Sequence, residues 1–126
     1  MAELDHLVLD VNDREESVEF YTDVLGFADE GRDGPFSVIR INASTTLLLG
    51  HRATEGGVHL AFALALAEFE ATFRRLRELG IAYGDAFNTV GSSRGPGDET
   101  GARGMGKAIY FFDPNRHLLE IRHYVP

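Results

Sequence analysis

The sequence predicts an α+β domain built from two paired βαβββ modules, and three observations lead to that prediction. An alternating apolar segment that carries a histidine opens the chain, and a similar segment occurs near the middle. Each of these segments is followed by a helix-like stretch that ends at a glycine. Strand-like segments separated by turn residues then complete each copy. We therefore predict one domain of 126 residues, made of module 1–55 and module 56–126.

The first element is the strand LDHLVLDV, residues 4–11. Strict alternation places His6 and Val8 on one face of this strand and Leu7 and Leu9 on the other. A buried imidazole needs a hydrogen-bond partner, a metal ion or a substrate. At this point a core histidine with a satisfied ring and a functional histidine are both open.

The rest of the first module reads as one helix and two strands. Asn12 or Asp13 is suited to cap a helix, and Gly26 is suited to end it. Strands are predicted at 36–42 and 45–51, where β-branched and apolar residues follow turn residues.

The second module repeats this order. The segment VHLAFAL carries His59, which follows His6 by 53 residues, and the next helix ends near Gly80. Strands are predicted at 106–113 and 117–124, joined by the turn DPNR. Because two histidines occupy matching places in matching strands, a shared functional site becomes as plausible as two core histidines.

The last strand contains a carboxylate among apolar residues. Glu120 lies in the sequence LLEIR, and a buried carboxylate must protonate, form an ion pair or bind a cation. It either pairs with Arg122 on the same strand face or joins His6 and His59 around a divalent metal. Two histidines and one carboxylate suit Fe(II), Mn(II), Co(II), Ni(II) or Zn(II) and leave coordination positions open for a substrate.

Composition narrows the choice of partners and compartment. The chain has no cysteine, so disulfides and thiolate metal sites are excluded. The net charge of −8 argues against nucleic acid or an anionic membrane as the main partner, while a small-molecule substrate remains compatible. No signal-peptide pattern opens the sequence and no apolar run is long enough to span a bilayer, so we expect a cytoplasmic protein.

The segments LDHLVLDV, SVEFYTDVLGF, VHLAFAL and IYFFDPNRHLLEI, in this order, resemble the vicinal oxygen chelate superfamily. That superfamily includes glyoxalase I, the fosfomycin and bleomycin resistance proteins, methylmalonyl-CoA epimerase and the extradiol dioxygenases. The resemblance implies paired βαβββ modules that curl around a metal-binding cleft. It also implies His6, His59 and Glu120 as the metal ligands, and it leads us to expect a homodimer.

The resemblance is uneven across the members of the superfamily. Leu48 falls closest to the position where glyoxalase I has a fourth ligand, and leucine cannot bind a metal. His51 would reach the site only in another register, and an exposed strand end is the alternative we favour. Tyr110, ten residues before Glu120, matches a tyrosine of the dioxygenases and the fosfomycin resistance group. Tyr110 is therefore either a catalytic hydrogen-bond donor or a core tyrosine.

The glycine-rich segment 87–108 is the most distinctive loop that the sequence predicts. It is either a substrate loop or a surface excursion. Arg103 and Lys107 within it are the candidate substrate-binding residues. Val8 stands where the fosfomycin resistance group has a threonine, which argues against fosfomycin transfer.

Our first choice of function is a dioxygenase-like enzyme that uses Fe(II) to act on a catecholic or related small molecule. Mn(II), Ni(II), Co(II) and Zn(II) are the other metals that the ligand set allows. Two alternatives stay open. One is a metal-dependent lyase, isomerase or thiol transferase, and the other is a non-catalytic drug-binding protein of the bleomycin resistance kind.

Overall fold

The computed structural model describes residues 1–125. The chain forms two compact units, each with one sheet and one helix. The first unit is Met1–Gly56, and the second begins at Gly57. The α+β class predicted from the sequence is confirmed by these two sheets and two helices. Neither helix has the length and apolar character that crossing a bilayer requires.

The elements of the first unit are β1 His6–Val11, α1 Arg14–Asp23, β2 Ala28–Asp33, β3 Phe36–Arg40 and β4 Thr46–His51. The strands form a four-stranded sheet in the order β1-β4-β3-β2, with β1 parallel to β4 and the other pairs antiparallel. Helix α1 connects β1 to β2.

Local chemistry accounts for the limits of α1. The Asp13 side chain caps the helix by accepting a hydrogen bond from the Glu16 backbone N–H at 3.1 Å. Gly26, with φ of 73°, lets the chain turn away after the last helical residues. Alternating strand residues form the core of this unit, as the sequence predicts for β1. The fully buried strand residues are Leu9, Val11, Ile39, Leu47 and Leu49.

The elements of the second unit are β5 His59–Ala63, α2 Leu66–Glu78, β6 Tyr83–Gly84, β7 Gly97–Gly101, β8 Gly104–Phe112 and β9 Leu118–Tyr124. The strands form a five-stranded sheet in which β5, β9, β8 and β6 are neighbours in that order and β7 also pairs with β8. Strand β5 is parallel to β9, and the remaining pairs are antiparallel.

The two faces of this second sheet differ in character. Four odd-numbered residues at the centre of β8 and β9 are apolar and buried, namely Ile109, Phe111, Leu119 and Ile121. The even-numbered residues Tyr110, Glu120 and Arg122 share the other face. Strand alternation therefore places Tyr110 and Glu120 on one surface with Arg122, and it places Lys107 of β8 on the opposite one.

Three strands were not predicted, namely β2, β6 and β7, and β8 begins earlier than predicted. Strand β2 was not predicted, because its sequence ADEGRD is exposed at every position and has no apolar alternation. The segment 87–108 was predicted as a loop, but it contains β7 and the start of β8, which begins at Gly104 instead of residue 106. Five consecutive backbone pairs between β7 and β8 overcome the poor strand propensity of the sequence GDETG.

Candidate metal centre

Three neighbouring strands of the second unit bring His59, Tyr110 and Glu120 together. Glu120 on β9 lies directly opposite Tyr110 on antiparallel β8, as the alternation predicts. His59 opens the parallel neighbour β5, and its Nε2 lies 3.2 Å from Oε1 of Glu120. The rings of His59 and Tyr110 have their centroids 6.0 Å apart. An imidazole, a carboxylate and a phenol therefore converge on one face of the sheet.

The Glu120 carboxylate has two partners of different kinds. Its side chain is only 5% exposed, and Oε2 accepts a hydrogen bond from Nη1 of Arg122 at 2.6 Å. The other oxygen, Oε1, faces His59. Of the two sequence interpretations, the ion pair with Arg122 is present, and it leaves Oε1 directed at the histidine.

The two histidines that open the first strand of each unit are not core residues. Their side chains are 49% exposed at His6 and 48% exposed at His59. The alternative of a buried core histidine is therefore wrong for both. Nδ1 of His6 lies 2.7 Å from Oδ2 of Asp5. The other ring nitrogen, Nε2, therefore points away from that carboxylate.

The donors of the second unit suit a divalent metal of borderline hardness. An imidazole nitrogen and a carboxylate oxygen 3.2 Å apart can both reach one ion at ordinary bond lengths of about 2.0–2.2 Å. Within residues 1–125, no cluster of three or more potential side-chain ligands is arranged to hold a metal. The two donors present therefore fit part of a ligand set, and His6, in the first unit, stays a prediction as the third ligand.

Tyr110 donates its phenolic hydrogen to a second carboxylate, that of Glu99 on β7, at 2.5 Å from Oε2. Burial raises the pKa of Tyr110 far above its ordinary value, and the hydrogen bond and charge of Glu99, together with Glu120, raise it further. The hydroxyl therefore remains protonated at neutral pH and acts as a hydrogen-bond donor.

A cleft of about 360 Å³ opens beside these residues, wholly within the second unit. Tyr110 and Glu120 line it on one side, and the small side chains of Ala61 and Ala63 leave it room. Arg103 also lines the cleft, with its guanidinium 4.9 Å from the centre of the Tyr124 ring.

The two predicted substrate-binding cations occupy different surroundings. Lys107 alternates with Ala108 and so lies on the other face of β8, where Nζ forms an ion pair with Asp98 at 2.5 Å. Lys107 is not among the lining residues of the cleft, whereas Arg103 is. The geometry therefore favours Arg103 over Lys107 as a contact for a ligand in this cleft.

Glu99 is the site residue that sequence reasoning missed. The sequence GDETGARGMG carries a weak signal for it, since glycines bracket the two residues 102–103 as they do in a tight hairpin. A hairpin there pairs Glu99 with Gly106. Because Gly106, Ala108 and Tyr110 alternate along β8, Glu99 then lies on the same face of the sheet as Tyr110.

In the first unit, Leu48 pairs with Val8 on the face that carries His6, and its apolar side chain cannot bind a metal. His51 pairs with Val11 on the opposite face of the sheet.

Fold and site together define a small α+β protein of two sheet-and-helix units with a histidine–glutamate pair beside a cleft. The family model of the Glyoxalase/Bleomycin resistance protein/Dioxygenase superfamily matches residues 3–121. The chain belongs to this superfamily, whose members typically bind a divalent metal.

Three relatives illustrate the range of this similarity. The "Virulence protein STM3117" of Salmonella typhimurium is 30% identical over 97% of this chain and 84% of its own length. The solved structure named "Oxidase ChaP-H1" is 29% identical, covers 99% of this chain and 98% of its own, and superposes with a TM-score of 0.82. The fosfomycin resistance protein FosX of Mesorhizobium loti is 18% identical over 99% of this chain and 94% of its own, with a TM-score of 0.70, and shares the fold alone.

Proposed function

We propose that this chain is a divalent-metal-dependent enzyme that acts on a small molecule bound through two vicinal oxygens. The observation that carries the proposal is the His59–Glu120 pair, 3.2 Å apart and beside a cleft that Tyr110 lines. His59 Nε2 and Glu120 Oε1 would supply two ligands, and His6 would supply the third.

The proposed reaction is dioxygenase-like, with Fe(II) as the metal. A nitrogen and oxygen ligand set with open positions suits Fe(II) and the substrate chelation that such chemistry needs. A relative named as an oxidase, 29% identical across nearly the whole chain, supports oxygen chemistry over the other reactions of the superfamily. Mn(II), Ni(II), Co(II) and Zn(II) are the competing ions, and a non-catalytic binding protein is the competing role.

The chain's own residues would bind and orient the substrate. The metal, when bound, would act as a Lewis acid that stabilises negative charge on the two substrate oxygens. Tyr110, which stays protonated, has one hydroxyl hydrogen, so it would turn that hydrogen from Glu99 to the substrate oxygen nearest to it. Arg103, at the Tyr124 side of the cleft, would contact an anionic or aromatic part of the substrate.

The metal content of protein purified without chelator tests this proposal. We expect close to one equivalent of metal in the wild type and its loss in Glu120→Gln, which keeps the side-chain shape and removes the charge. The matched control is Glu99→Gln, which removes the carboxylate that contacts Tyr110 and leaves the proposed ligands in place. This control should retain its metal.

The identity of the metal then separates the reactions. Iron in the wild type, with oxygen uptake when catechol is added, would support the dioxygenase-like reaction. Zinc, nickel or manganese without oxygen uptake would reject it in favour of a lyase, isomerase or transferase. Protein that binds none of the five ions after they are added back would contradict the proposal and leave a binding protein as the better interpretation.

A further inference from the structure

Arg122 is a buried cation held from two directions. Its side chain is 6% exposed, and it donates from Nη1 to Oε2 of Glu120 at 2.6 Å and from Nη2 to the backbone carbonyl of Glu99 at 2.9 Å. Its third nitrogen, Nε, is buried without a hydrogen-bond partner in the part of the chain that the structure describes. A buried arginine with an unpaired nitrogen lowers stability relative to an apolar side chain. A role other than stabilising the fold would therefore explain Arg122 at this position.

The β7–β8 hairpin is shaped to admit this guanidinium. A Cβ at Gly101 would clash with the Tyr124 hydroxyl and would lie 2.5 Å from Cζ of Arg122. A Cβ at Gly106 would lie 2.7 Å from the backbone oxygen of His123 and 3.2 Å from Nη2 of Arg122. Gly101 is not among the residues with positive φ, so the space that the Arg122 and Tyr124 side chains need accounts for glycine there. The Tyr124 ring lies 4.7 Å from Cζ of Arg122. Two small residues and one aromatic ring therefore fix the position of the guanidinium.

We propose that Arg122 is a positioning residue that sets which oxygen of Glu120 faces the metal. This inference rests on the proposed metal site. By holding Oε2, Arg122 turns Oε1 toward His59 and limits Glu120 to one ligating oxygen. By holding the carbonyl of Glu99, it ties that orientation to the hairpin, whose Thr100 and Arg103 line the cleft. Removing a partner that orients a metal ligand in this way commonly weakens metal binding about 10- to 100-fold. We expect a loss of that size when Arg122 is replaced.

The test is a titration of metal-free protein with Co(II) alone, whose visible absorption reports the number and geometry of the ligands. Arg122→Gln should bind Co(II) about 10- to 100-fold more weakly than the wild type, with an altered spectrum. The matched control is Arg103→Gln, since that guanidinium packs on the same Tyr124 ring while Arg122 is the arginine that holds Glu120. Arg103→Gln should keep the wild-type affinity and spectrum.

A second variant perturbs Arg122 without removing a charge. Gly101→Ala introduces a methyl group against the Tyr124 hydroxyl and the Arg122 guanidinium, so both side chains must shift and the hold of Arg122 on Glu120 is disturbed. We expect the same spectral change as in Arg122→Gln, with weaker binding. Circular dichroism shows whether each variant is folded. Arg122→Lys keeps the charge but cannot make both contacts, and it replaces any variant that does not fold. It should also bind more weakly than the wild type.

The outcomes separate this inference from the proposed function. Wild-type affinity and spectrum in Arg122→Gln and Gly101→Ala would overturn the positioning role and leave the metal site intact. Equal weakening in Arg122→Gln and Arg103→Gln would assign the effect to net charge and would also overturn it. A wild-type protein that binds no Co(II) would overturn the metal site and the positioning role together.

Discussion

Glu120 illustrates how burial and contacts at a single residue combine. Its carboxylate is 5% exposed, yet one oxygen meets a cation and the other meets a half-exposed imidazole. A residue that only stabilised the core would need no histidine at the solvent side. The faces of Tyr110 and Glu120 follow from strand alternation, and their pairing follows from the predicted turn DPNR, which joins the two strands. Glu99 does not follow from it, because its place depends on a hairpin between residues of low strand propensity.

Replacing His6 tests the third predicted ligand. The contact between Nδ1 and Asp5 is of the kind that orients a ligating histidine and leaves Nε2 for the metal. We expect His6→Ala to lose most of its metal, measured by elemental analysis of protein purified without chelator. The matched control is His51→Ala, which removes an exposed histidine from the end of β4 in the same unit and should keep its metal.

Full metal content in His6→Ala would remove His6 from the ligand set. The His59–Glu120 pair would then need a ligand from elsewhere in the chain or from the substrate. Loss of metal in both histidine variants would indicate a general effect of the substitutions instead of a specific bond.

Replacing Tyr110 separates a catalytic hydrogen-bond donor from a core tyrosine. Tyr110→Phe keeps the ring and removes only the hydroxyl that donates to Glu99. We expect unchanged metal content, while the chromophoric vicinal diol 4-nitrocatechol binds the metal-loaded protein about 10-fold or more weakly. A hydrogen bond to a charged oxygen contributes about 1.5–3 kcal/mol, which corresponds to that loss. Absorbance titration gives the dissociation constant. An unchanged constant would make Tyr110 a core residue.

The elements of the chain differ in how strongly the sequence encodes them. Helix α2 buries Phe69, Phe73 and Leu76 at the spacing that the sequence shows, so its prediction is confirmed. Strand β2 has no buried residue, and only its antiparallel pairing with β3 makes it a strand. Patterns of apolar residues reveal elements that face a core, whereas polar strands depend on partners distant in sequence. The polar β7 was missed for the same reason as β2.

Substitutions at the N-caps of the two helices should change stability in opposite directions, because the N-cap residues differ. Asp13 caps α1 through a hydrogen bond, so Asp13→Ala should lower the free energy of unfolding by about 1 kcal/mol. The N-cap of α2 is Ala65, which is exposed, extended and makes no side-chain capping bond. Ala65→Ser completes the sequence Ser-x-x-Glu with Glu68 and should raise the free energy of unfolding by about 0.5–1 kcal/mol.

Urea denaturation measured by circular dichroism gives both values. Glu70→Ala in the interior of α2 is the control for exposed substitutions of that helix, and it should change stability by less than about 0.5 kcal/mol. Changes of the same sign in Asp13→Ala and Ala65→Ser would contradict the capping argument.

At the scale of the whole molecule, the chain combines an acidic surface with a locally mixed cleft. The net charge is −8, yet the cleft of the second unit contains Arg103 and Arg122 beside Glu120. A small ligand with anionic oxygens is therefore compatible with an acidic protein, since local charge determines binding at short range. Superfamily membership follows from the whole chain, while the reaction depends on a few residues of the cleft.

The net charge also determines how the proposed homodimer should respond to salt. Each copy carries −8, so association places like charges close together, and their repulsion weakens as salt is added. Light scattering at about 0.15 M salt, where the screening length is about 8 Å, should give twice the mass of 13.9 kDa. At about 0.01 M salt, where that length is about 30 Å, the dimer should be weaker, so that on dilution it dissociates at a higher protein concentration than it does at about 0.15 M salt. A mass of 13.9 kDa at every salt and protein concentration would contradict the dimer, and each metal site would then have to take its ligands from one chain.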